Sequence, residues 1–592
     1  MIVKNKNNIF RAVSAITMFF WLSFLYNTDS YYSVYLLVGI TSFISLFSIK
    51  TTKKSIVLNK DRILMYTFSS IFSIAVILAN YRLFDFMFEG GVRNIIAGMC
   101  SILFMVAGGF FTAYNILKFI NRLLEKEFLS YEINFTPIRL FWICFAIFSV
   151  INISVLLLCY IPGNLTPDSI NEISQMYSGD YSNHHPFYFT VFVQLFFNLG
   201  TTIFGSANAG VLLYSIVQLL IMGLIFSFGI MTMYQCRVPK YFIMAAFLLY
   251  ALMPYHIMYS FTVWKDILFG GFVLLFIITI ARALTQNKSI WNFLLMIISC
   301  FGICLFRSNG WAAFIIAVIL SFAIFKKKYL SISIMLLLVS VLSYILKGPV
   351  LTVIGVRQPD TIESLSIPTQ QIARVIVDDK NSLTEDQKSL INNLANIDEI
   401  AAVYNPILHD PIKDIVRANG NQQYLNDHKF DFAKLYLELG FSHPAEYIKA
   451  WVDQTRGYWN GGYRYWIWAD DVYENNFNIT RKVNSDGAKK IFNNYAQSFY
   501  VVGFLQPFIS IGFWVWILWL SLYISIKQHK KVLLFVCVLL LSIWGSLLIA
   551  TPVFAEFRYI YSLFCCLPFI PIFIFSNDSG IKKNAAKNTY LK

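Results

Sequence analysis

The stretch FYFTVFVQLFFNLGTTIF (187–204) decides the topology of the whole chain. It is apolar and long enough to cross a membrane as a helix, because about 20 such residues span the hydrocarbon core. Counting it as a span would move every later loop to the opposite side. Polar residues recur along it: Thr190, Gln194, Asn198 and Thr201. We therefore interpret it as an amphipathic helix lying on the outer membrane surface.

The rest of the sequence is typical of an integral membrane protein. Of its 592 residues, 57% are hydrophobic and only 13% are charged, about half the charged fraction of a soluble domain. Runs of about 17–25 residues almost free of charge recur, the length of a transmembrane helix. No period-two alternation marks these runs, which excludes a strand barrel. The sequence predicts an all-α polytopic membrane protein with about 14 transmembrane helices.

The net charge of +15 is explained by topology. With the amino terminus in the cytoplasm, every second loop is cytoplasmic, and these loops carry the basic clusters: Lys50, Lys53 and Lys54; Lys326–Lys328; Lys527, Lys530 and Lys531; and Lys582 and Lys583. This distribution follows the positive-inside rule. We expect both termini in the cytoplasm, residues of about 348–497 outside, membrane lipids as partners, and no nucleic-acid partner.

The pattern of apolar and polar runs divides the chain into five predicted regions. Segments such as DFAKLYLELGFSHPAEYIKAWVDQ place apolar residues three and four apart, which indicates helices in the large polar region. The regions are a four-helix membrane module at 1–138, a membrane core at 139–347 with an outer loop at 162–206, a mainly helical extracytoplasmic domain at 348–497, C-terminal transmembrane helices at 498–576 (the first at 498–526), and a basic cytoplasmic tail at 577–592.

The outer loop carries the most concentrated polar chemistry, in LTPDSINEISQMYSGDYSNHHP (165–186). Asp168 and Glu172 are four residues apart, so they share one face of a short helix that we predict to begin at Thr166-Pro167. His184 and His185 end the loop. Adjacent histidines on one strand or helix point apart, and no metal site is predicted here.

Other charged residues lie where predicted spans end on the same outer side. They are Lys265 and Asp266 in SFTVWKDILFG, Arg307 in CLFRSNGW, and Glu556 and Arg558 in FAEFRYIY. Charges at span ends are costly unless they face a cavity, a partner or water. Their common level predicts one polar pocket at the outer boundary. Separate explanations remain for each residue, namely a solvated loop residue, a snorkelling cation or an internal ion pair.

The order of these features resembles the GT-C superfamily of membrane glycosyltransferases. The shared features are a long first outer loop with Asp168 shortly after a span, the HHP turn, an amphipathic surface helix and then a span. The chain also resembles an uncharacterised bacterial family of polytopic membrane proteins from about residue 157 onward. The segments that carry this second resemblance are TPDSINE, NHHPF, SFTVWKDILF, ESLSIPTQQIARV, YNPILHDPIK and AEFRYIY.

The resemblance implies a GT-C-like core within 139–347, in a bacterial plasma membrane. It implies transfer of a sugar from a polyprenyl-phosphate carrier to an extracytoplasmic cell-envelope acceptor, such as a polysaccharide, a teichoic acid, a lipid or a protein. No cofactor is implied. The lone Asp168, without a DxD pattern, leaves metal dependence open.

Each charged residue then has an implied role. The anomeric C–O bond breaks through an oxocarbenium-like state, and a carboxylate must take the acceptor hydroxyl proton. Asp168 is the expected base and Glu172 the second candidate. The leaving phosphate needs fixed cations, for which the candidates are Lys265, Arg307 and Arg558. The supporting residues are His184, His185, Asp266 and Glu556.

The aromatic segment YWNGGYRYWIWADD (458–471) has two interpretations. It is either an interfacial aromatic belt beside the next span or part of an acceptor site, in which aromatic rings stack on sugars. The residues expected to bind the acceptor are Trp459, Tyr463, Trp466 and Asp470.

Three other classes of function fit parts of this pattern. A lipid-linked polysaccharide polymerase or ligase also has many spans and outward arginines, but it uses a pyrophosphate donor. A flippase would place charges at mid-membrane and has no need of a large outer domain. A non-catalytic envelope transport or assembly protein would tolerate the loss of Asp168.

Overall fold

The computed structural model describes residues 2–26, 31–47, 59–87, 89–125, 135–285, 289–325, 329–418, 420–463 and 465–575. Within these ranges the chain is helical, and backbone pairing outside helices is limited to isolated bridges. The predicted all-α class is therefore confirmed. The predicted tail at 577–592 lies outside the described residues, as do Lys50, Lys53, Lys54 and Lys326–Lys328.

Four helices form the N-terminal part: α1 (Ile2–Tyr26), α2 (Tyr32–Phe47), α3 (Asn59–Ala79) and α4 (Val92–Glu125). The first three pack around α4, which is the longest. The contact between α4 and α1 depends on Gly108, because a Cβ at this position would lie 2.4 Å from the Thr17 carbonyl oxygen. Small residues at such contacts let transmembrane helices approach closely.

Ten helices build the central bundle: α5 (Pro137–Cys159), α6 (Pro167–Ser178), α7 (Phe187–Phe204), α8 (Ala207–Gln235), α9 (Lys240–Leu252), α10 (Pro254–Ser260), α11 (Lys265–Thr285), α12 (Ile290–Leu305), α13 (Gly310–Phe325) and α14 (Leu330–Ile345). Helix α11 lies at the centre, and 78% of the residues in its most apolar stretch are buried. Such burial is typical of a helix that is apolar on every side. The first residues of α11 are thereby held in a fixed place.

The polar region that follows contains α15 (Leu351–Val353), α16 (Ser366–Asp379), α17 (Glu385–Leu394), α18 (Ile397–Val403), α19 (Asp410–Ala418), α20 (Gln422–Asp427), α21 (Lys429–Ser442), α22 (Pro444–Thr455) and α23 (Asp486–Val501). Residues between Ile362 and Tyr447 form a hydrophobic core of their own. Buried residues from Tyr458 to Phe499 belong to the core of the bundle instead. The domain predicted at 348–497 thus has a separate core only as far as Tyr447.

The chain ends with α24 (Gln506–Ile509), α25 (Ile511–Lys527), α26 (Lys531–Ala550), α27 (Tyr561–Cys566) and α28 (Pro571–Phe575). The continuous span predicted at 498–526 is wrong at its start. Helix α23 ends at Val501, the short α24 begins at Gln506 with Pro507 in its first turn, and the transmembrane-type helix begins only at Ile511. Proline cannot continue a helix without losing a hydrogen bond, although the apolar composition runs on through the break.

Ten described helices are long and apolar enough to cross a membrane. The number is eleven if α9 and α10, which are bent by 53° at their junction, form one span. Four shorter apolar helices accompany them: α2, α12, α13 and α25. The chain is therefore a multi-pass membrane protein.

Both ends of α7 contact the same polar region. Just before the helix, the Asn183 N–H donates to the Arg357 carbonyl oxygen at 2.7 Å. Just after it, Asn208 Oδ1 accepts from the Thr480 N–H at 3.0 Å. Arg357 and Thr480 both belong to the segment between α14 and α24, so this segment lies against the two ends of one 18-residue helix.

Candidate functional site

Helix α6 begins at Pro167, as predicted from the Thr166-Pro167 pair. Thr166 is its N-cap, and a capping box joins Thr166 to Ser169. This start is attached to the bundle, because the Trp264 indole donates to Thr166 Oγ1 at 2.8 Å and the Ser169 hydroxyl donates to the Val263 carbonyl oxygen at 2.6 Å. The first turn of α6 therefore lies beside the first turn of α11.

Extended backbone before α6 fixes its position further. Asn164 pairs with Thr262, and Leu165 pairs with Val472, each in a parallel bridge. The Arg481 guanidinium donates to the carbonyl oxygens of Tyr160 and Gly163 from the other side. Two distant parts of the sequence, at Thr262 and at 472–481, thus meet residues 160–165 and satisfy backbone groups that a loop would otherwise leave unpaired.

Asp168 is the centre of the charged cluster. Its Oδ2 lies 2.6 Å from Arg558 Nη1 and 3.7 Å from Lys265 Nζ. Burial by itself raises the pKa of this carboxyl, but the two cations outweigh burial and lower its pKa well below the usual range. Arg558 also lies over the Trp264 ring, 4.9 Å from its centroid. The carboxylate, 31% exposed, is ionised and reaches the surface.

A second chain of contacts runs inward from Lys265. Lys265 Nζ lies 3.2 Å from His185 Nδ1, which lies 3.8 Å from Glu172 Oε1. Glu172 and His185 are almost completely buried. Burial raises the pKa of Glu172 to about 8, against the attraction of Lys265. Burial also lowers the pKa of His185 well below its usual value, so the interior pair is largely a neutral acid and a neutral imidazole at pH 7.

Glu556 and His184 lie at the two edges of this cluster. Glu556 Oε1 is 3.3 Å from Arg558 Nε, and burial raises the pKa of Glu556 to about 7 although Arg558 opposes the shift. The His184 ring lies 4.7 Å from the His185 ring, and its Nδ1 lies 3.7 Å from Glu363 Oε1 in the polar region. The histidine pair thus connects the bundle to the polar region.

Arg307 forms an internal ion pair, one of the alternatives left open by the sequence. Its Nη1 lies 3.0 Å from Asp266 Oδ1 and donates to the Tyr559 carbonyl oxygen at 2.5 Å. The Arg307 side chain is 8% exposed and the Asp266 side chain is completely buried. An internal carboxylate holds the Arg307 guanidinium, and the expected contact of Arg307 with a bound phosphate stays a prediction. The pair instead ties the end of α12 to the start of α11.

A polar cleft of about 420 Å³ lies beside α6. Hydroxyl and amide side chains of α6 form one wall, and Arg357, Gln358 and Asp360 from the polar region form the other. Lining residues include Asn171, Ser174, Gln175, Ser178, His184 and Arg417. Asp168 precedes Asn171 by three residues on the same helix, so the two side chains share a face. The cleft has the dense hydrogen-bonding lining that a polyhydroxylated ligand requires.

The predicted acceptor residues do not form one site. Trp459 is 7% exposed and stacks on Trp451 at 5.9 Å. Its ring lines an apolar pocket together with α3 and α25, and Tyr463 packs on Phe554 under the Arg456 guanidinium. Both rings are used in packing, and the acceptor role of Trp459 and Tyr463 stays a prediction.

Trp466 and Asp470 are placed closer to the charged cluster. Trp466 is 59% exposed, and its ring lies 6.2 Å from that of Trp264, the residue that Arg558 covers. Asp470 is exposed and lies one residue before Asp471, whose carbonyl oxygen accepts from the Leu165 N–H. Two of the four predicted acceptor residues therefore remain within reach of this site.

Several residues of the site were not identified from the sequence. Trp264 positions the first turn of α6 through its hydrogen bond to Thr166, and Arg357 and Arg417 line the cleft. Arg357 lies in GVRQPDT, directly after the last span before the polar region. The available signal was an arginine close to a proline turn, at the end of a predicted span on the same predicted side as Asp168.

The raised pKa of Glu172 predicts a pH-dependent stability. The folded chain keeps a proton that the unfolded chain releases above about pH 4.5. Its stabilising contribution is complete below that pH and is lost as the pH rises through about 8, at about 1.4 kcal/mol per pH unit at most. Glu172→Gln should remove this slope. The measurement is thermal unfolding in detergent between about pH 5 and 9, with the exposed Glu474→Gln as control; equal slopes in wild type and Glu172→Gln would contradict it.

A known protein family matches most of the chain. The profile of the family of unknown function DUF6020 matches residues 177–588, more than half of the chain. The match includes His184, His185, Lys265, Arg307 and Arg558, and it begins after Asp168 and Glu172. No curated protein and no solved structure matches the chain. By the extent of the profile match, the chain belongs to the family of unknown function DUF6020.

Proposed function

We propose that this protein is a membrane glycosyltransferase of GT-C type. It moves a sugar from a polyprenyl-phosphate carrier to an extracytoplasmic acceptor of the cell envelope. The observation that carries the proposal is the position of Asp168, held between Arg558 and Lys265 at the start of α6, one turn before the residues of this helix that line a polar cleft. A carboxylate beside fixed cations and a hydroxyl-binding cleft is the set of groups that this transfer needs.

The reaction follows from this placement. The donor's anomeric C–O bond breaks, and its electron pair leaves with the phosphate. An acceptor hydroxyl in the cleft forms the new bond to the anomeric carbon, and its proton passes to Asp168 Oδ2. Arg558 and Lys265 stabilise the charge that grows on the departing phosphate. Arg307 is a positioning residue, because its pairing with Asp266 holds the start of α11, where Lys265 lies.

Donor binding would also activate the base. Without donor, Arg558 and Lys265 lower the pKa of Asp168, which makes it a weak proton acceptor. A bound phosphate adds negative charge beside the same two cations. It competes with Asp168 for them, so the carboxyl pKa rises towards its ordinary value. The base therefore gains strength only when the donor is in place.

Burial around the cluster favours an anionic ligand. The three cations are Lys265, Arg307 and Arg558. Glu172 and Glu556 have raised pKa values because they are buried, which reduces the negative charge that opposes the cations. Asp168 and Asp266 then remain as the direct partners of Arg558 and Arg307. The phosphodiester of a lipid-linked sugar supplies the missing negative charge, and the phosphate monoester that leaves after transfer carries more of it.

The proposal includes a topology of 14 spans. Leaving α7 out of the ten long apolar helices, and adding the bent pair α9–α10 and the four shorter apolar helices, gives this number. Contacts of both α7 ends with the polar region support a surface position for α7. Both termini are then cytoplasmic, residues 348–497 are extracytoplasmic, and the membrane is the bacterial plasma membrane.

The donor class can be tested directly. Purified protein in nanodiscs would receive radiolabelled sugars on polyprenyl monophosphate or polyprenyl pyrophosphate, with extracted envelope fractions as acceptors. We expect transfer from a monophosphate donor only. Transfer restricted to pyrophosphate donors would identify a polymerase or ligase. Absence of transfer from a panel of both donor types, with folded protein, would favour a non-catalytic role.

A further inference from the structure

The helices between Ile362 and Tyr447 enclose a cavity that the transferase proposal does not use. Its volume is about 350 Å³, and its lining is almost entirely apolar. Helices α16, α17, α19 and α21 contribute most of the wall, with Ile372, Ile376, Ile391, Val416 and Leu435 among the lining residues. This volume is within the range of about 300–1,000 Å³ found for ligand pockets.

Such a space is unfavourable when it is empty. The cost of a cavity rises with its volume, because the lining side chains lack contact partners. Water does not compensate, since it needs two or more polar partners and the lining offers hardly any. The separate core between Ile362 and Tyr447 surrounds this cavity. A long apolar group would restore the missing contacts.

The entrance of the cavity lies on α21. Lys429 and Ala433 both line the cavity and are exposed, one turn apart on this helix. The same helix exposes Phe430 (91%) and Phe441 (85%). An ammonium group at the edge of an apolar cavity, on a helix that exposes aromatic rings elsewhere, matches an amphiphile with a negative head and a hydrocarbon tail.

We propose that this cavity binds the acyl chain of an anionic lipid, with the head group at Lys429. The acyl chain enters past Ala433, and the Lys429 ammonium group pairs with the carboxylate or phosphate of the lipid head group. This binding does not depend on the proposed sugar transfer, and the test below uses no sugar donor.

The test uses a photoreactive palmitic acid carrying a diazirine, and the full-length protein in nanodiscs. Crosslinked peptides from 361–442 are quantified by mass spectrometry. We expect labelling of α16 and α21 in wild type and a loss of about tenfold or more in Ala433→Trp, which closes the entrance. The matched control is Ala445→Trp, the same change at an exposed alanine of α22 outside the lining, and it should stay within about twofold of wild type.

The head-group contact is tested separately. Lys429→Glu should lower labelling by the fatty acid about fivefold or more, but it should not lower labelling by the corresponding photoreactive alcohol. Lys434→Glu is the control, because its side chain is 77% exposed on the same helix and lies outside the lining. Any of three results would overturn the proposal. They are labelling that persists in Ala433→Trp, equal effects of Lys429→Glu on labelling by the acid and by the alcohol, and labelling by a prenyl phosphate probe alone.

Discussion

Asp168→Asn is expected to lower sugar transfer by about 10²–10⁴-fold, the usual contribution of a general base. The amide has nearly the size of the carboxylate, but it cannot accept the acceptor proton. Arg558 and Lys265 remain beside it, so donor binding should be retained or strengthened. The measurement is the initial rate of label transfer from a polyprenyl-phosphate donor, with donor affinity determined separately.

The matched control for this prediction is Asp486→Asn. Asp486 is exposed at the start of α23, so the same chemical change should leave transfer within about twofold of wild type. Wild-type turnover in folded Asp168→Asn protein would remove Asp168 from the mechanism. If Glu172→Gln then abolished transfer, Glu172 would be the base, and its pKa of about 8 would appear in the pH–rate profile.

The charged cluster illustrates what the sequence can predict. Asp168 and Arg558 are 390 residues apart, yet their meeting was expected from the level at which their helices meet the membrane surface. That argument needs only span ends and the high cost of charge in hydrocarbon. The start of α6 was predictable for a local reason, because an N-cap threonine followed by proline specifies a helix start.

Side-chain direction was not predictable in the same way. Trp459 and Trp466 are seven residues apart in one aromatic segment, but the first packs against Trp451 and the second is exposed beside Trp264. Composition alone predicts the same degree of burial for both tryptophans. Burial is decided by the helices that the segment meets, α3 and α25 for Trp459, and a single sequence does not reveal those contacts.

The partner of a buried charge is equally hidden. Arg307 has the residue type of a phosphate ligand, but Asp266 occupies its guanidinium. The cleft beside α6 includes Arg357 and Arg417 from a region separated from α6 by several spans. The break before Ile511 was not predicted for a related reason. The residues on both sides of it are apolar, and an apolar run does not show whether the helix is continuous.

Arg307→Met is expected to destabilise the protein by about 3–5 kcal/mol, because it leaves a buried carboxylate without its partner. The Asp266 side chain is completely buried, and its Oδ1 lies 3.0 Å from Arg307 Nη1. The Arg307 guanidinium also covers the Tyr559 ring at 5.0 Å, and methionine retains part of that packing. The loss should therefore arise mainly from the unpaired charge, and Arg307→Met combined with Asp266→Asn should recover most of it.

The measurement is unfolding of the purified protein in mixed micelles with increasing denaturing detergent. Arg357→Met is the control, because the Arg357–Asp180 pair is also close, at 2.6 Å, but its side chains are 66% and 60% exposed. An exposed pair contributes at most about 1 kcal/mol, so this variant should unfold nearly like wild type. Two results would contradict this prediction: equal destabilisation by Arg307→Met and Arg357→Met, or no recovery in the double variant. Either would mean that the Asp266–Arg307 pair does not hold α11 and α12 together. Lys265, at the start of α11, would then need another support to stay beside Asp168.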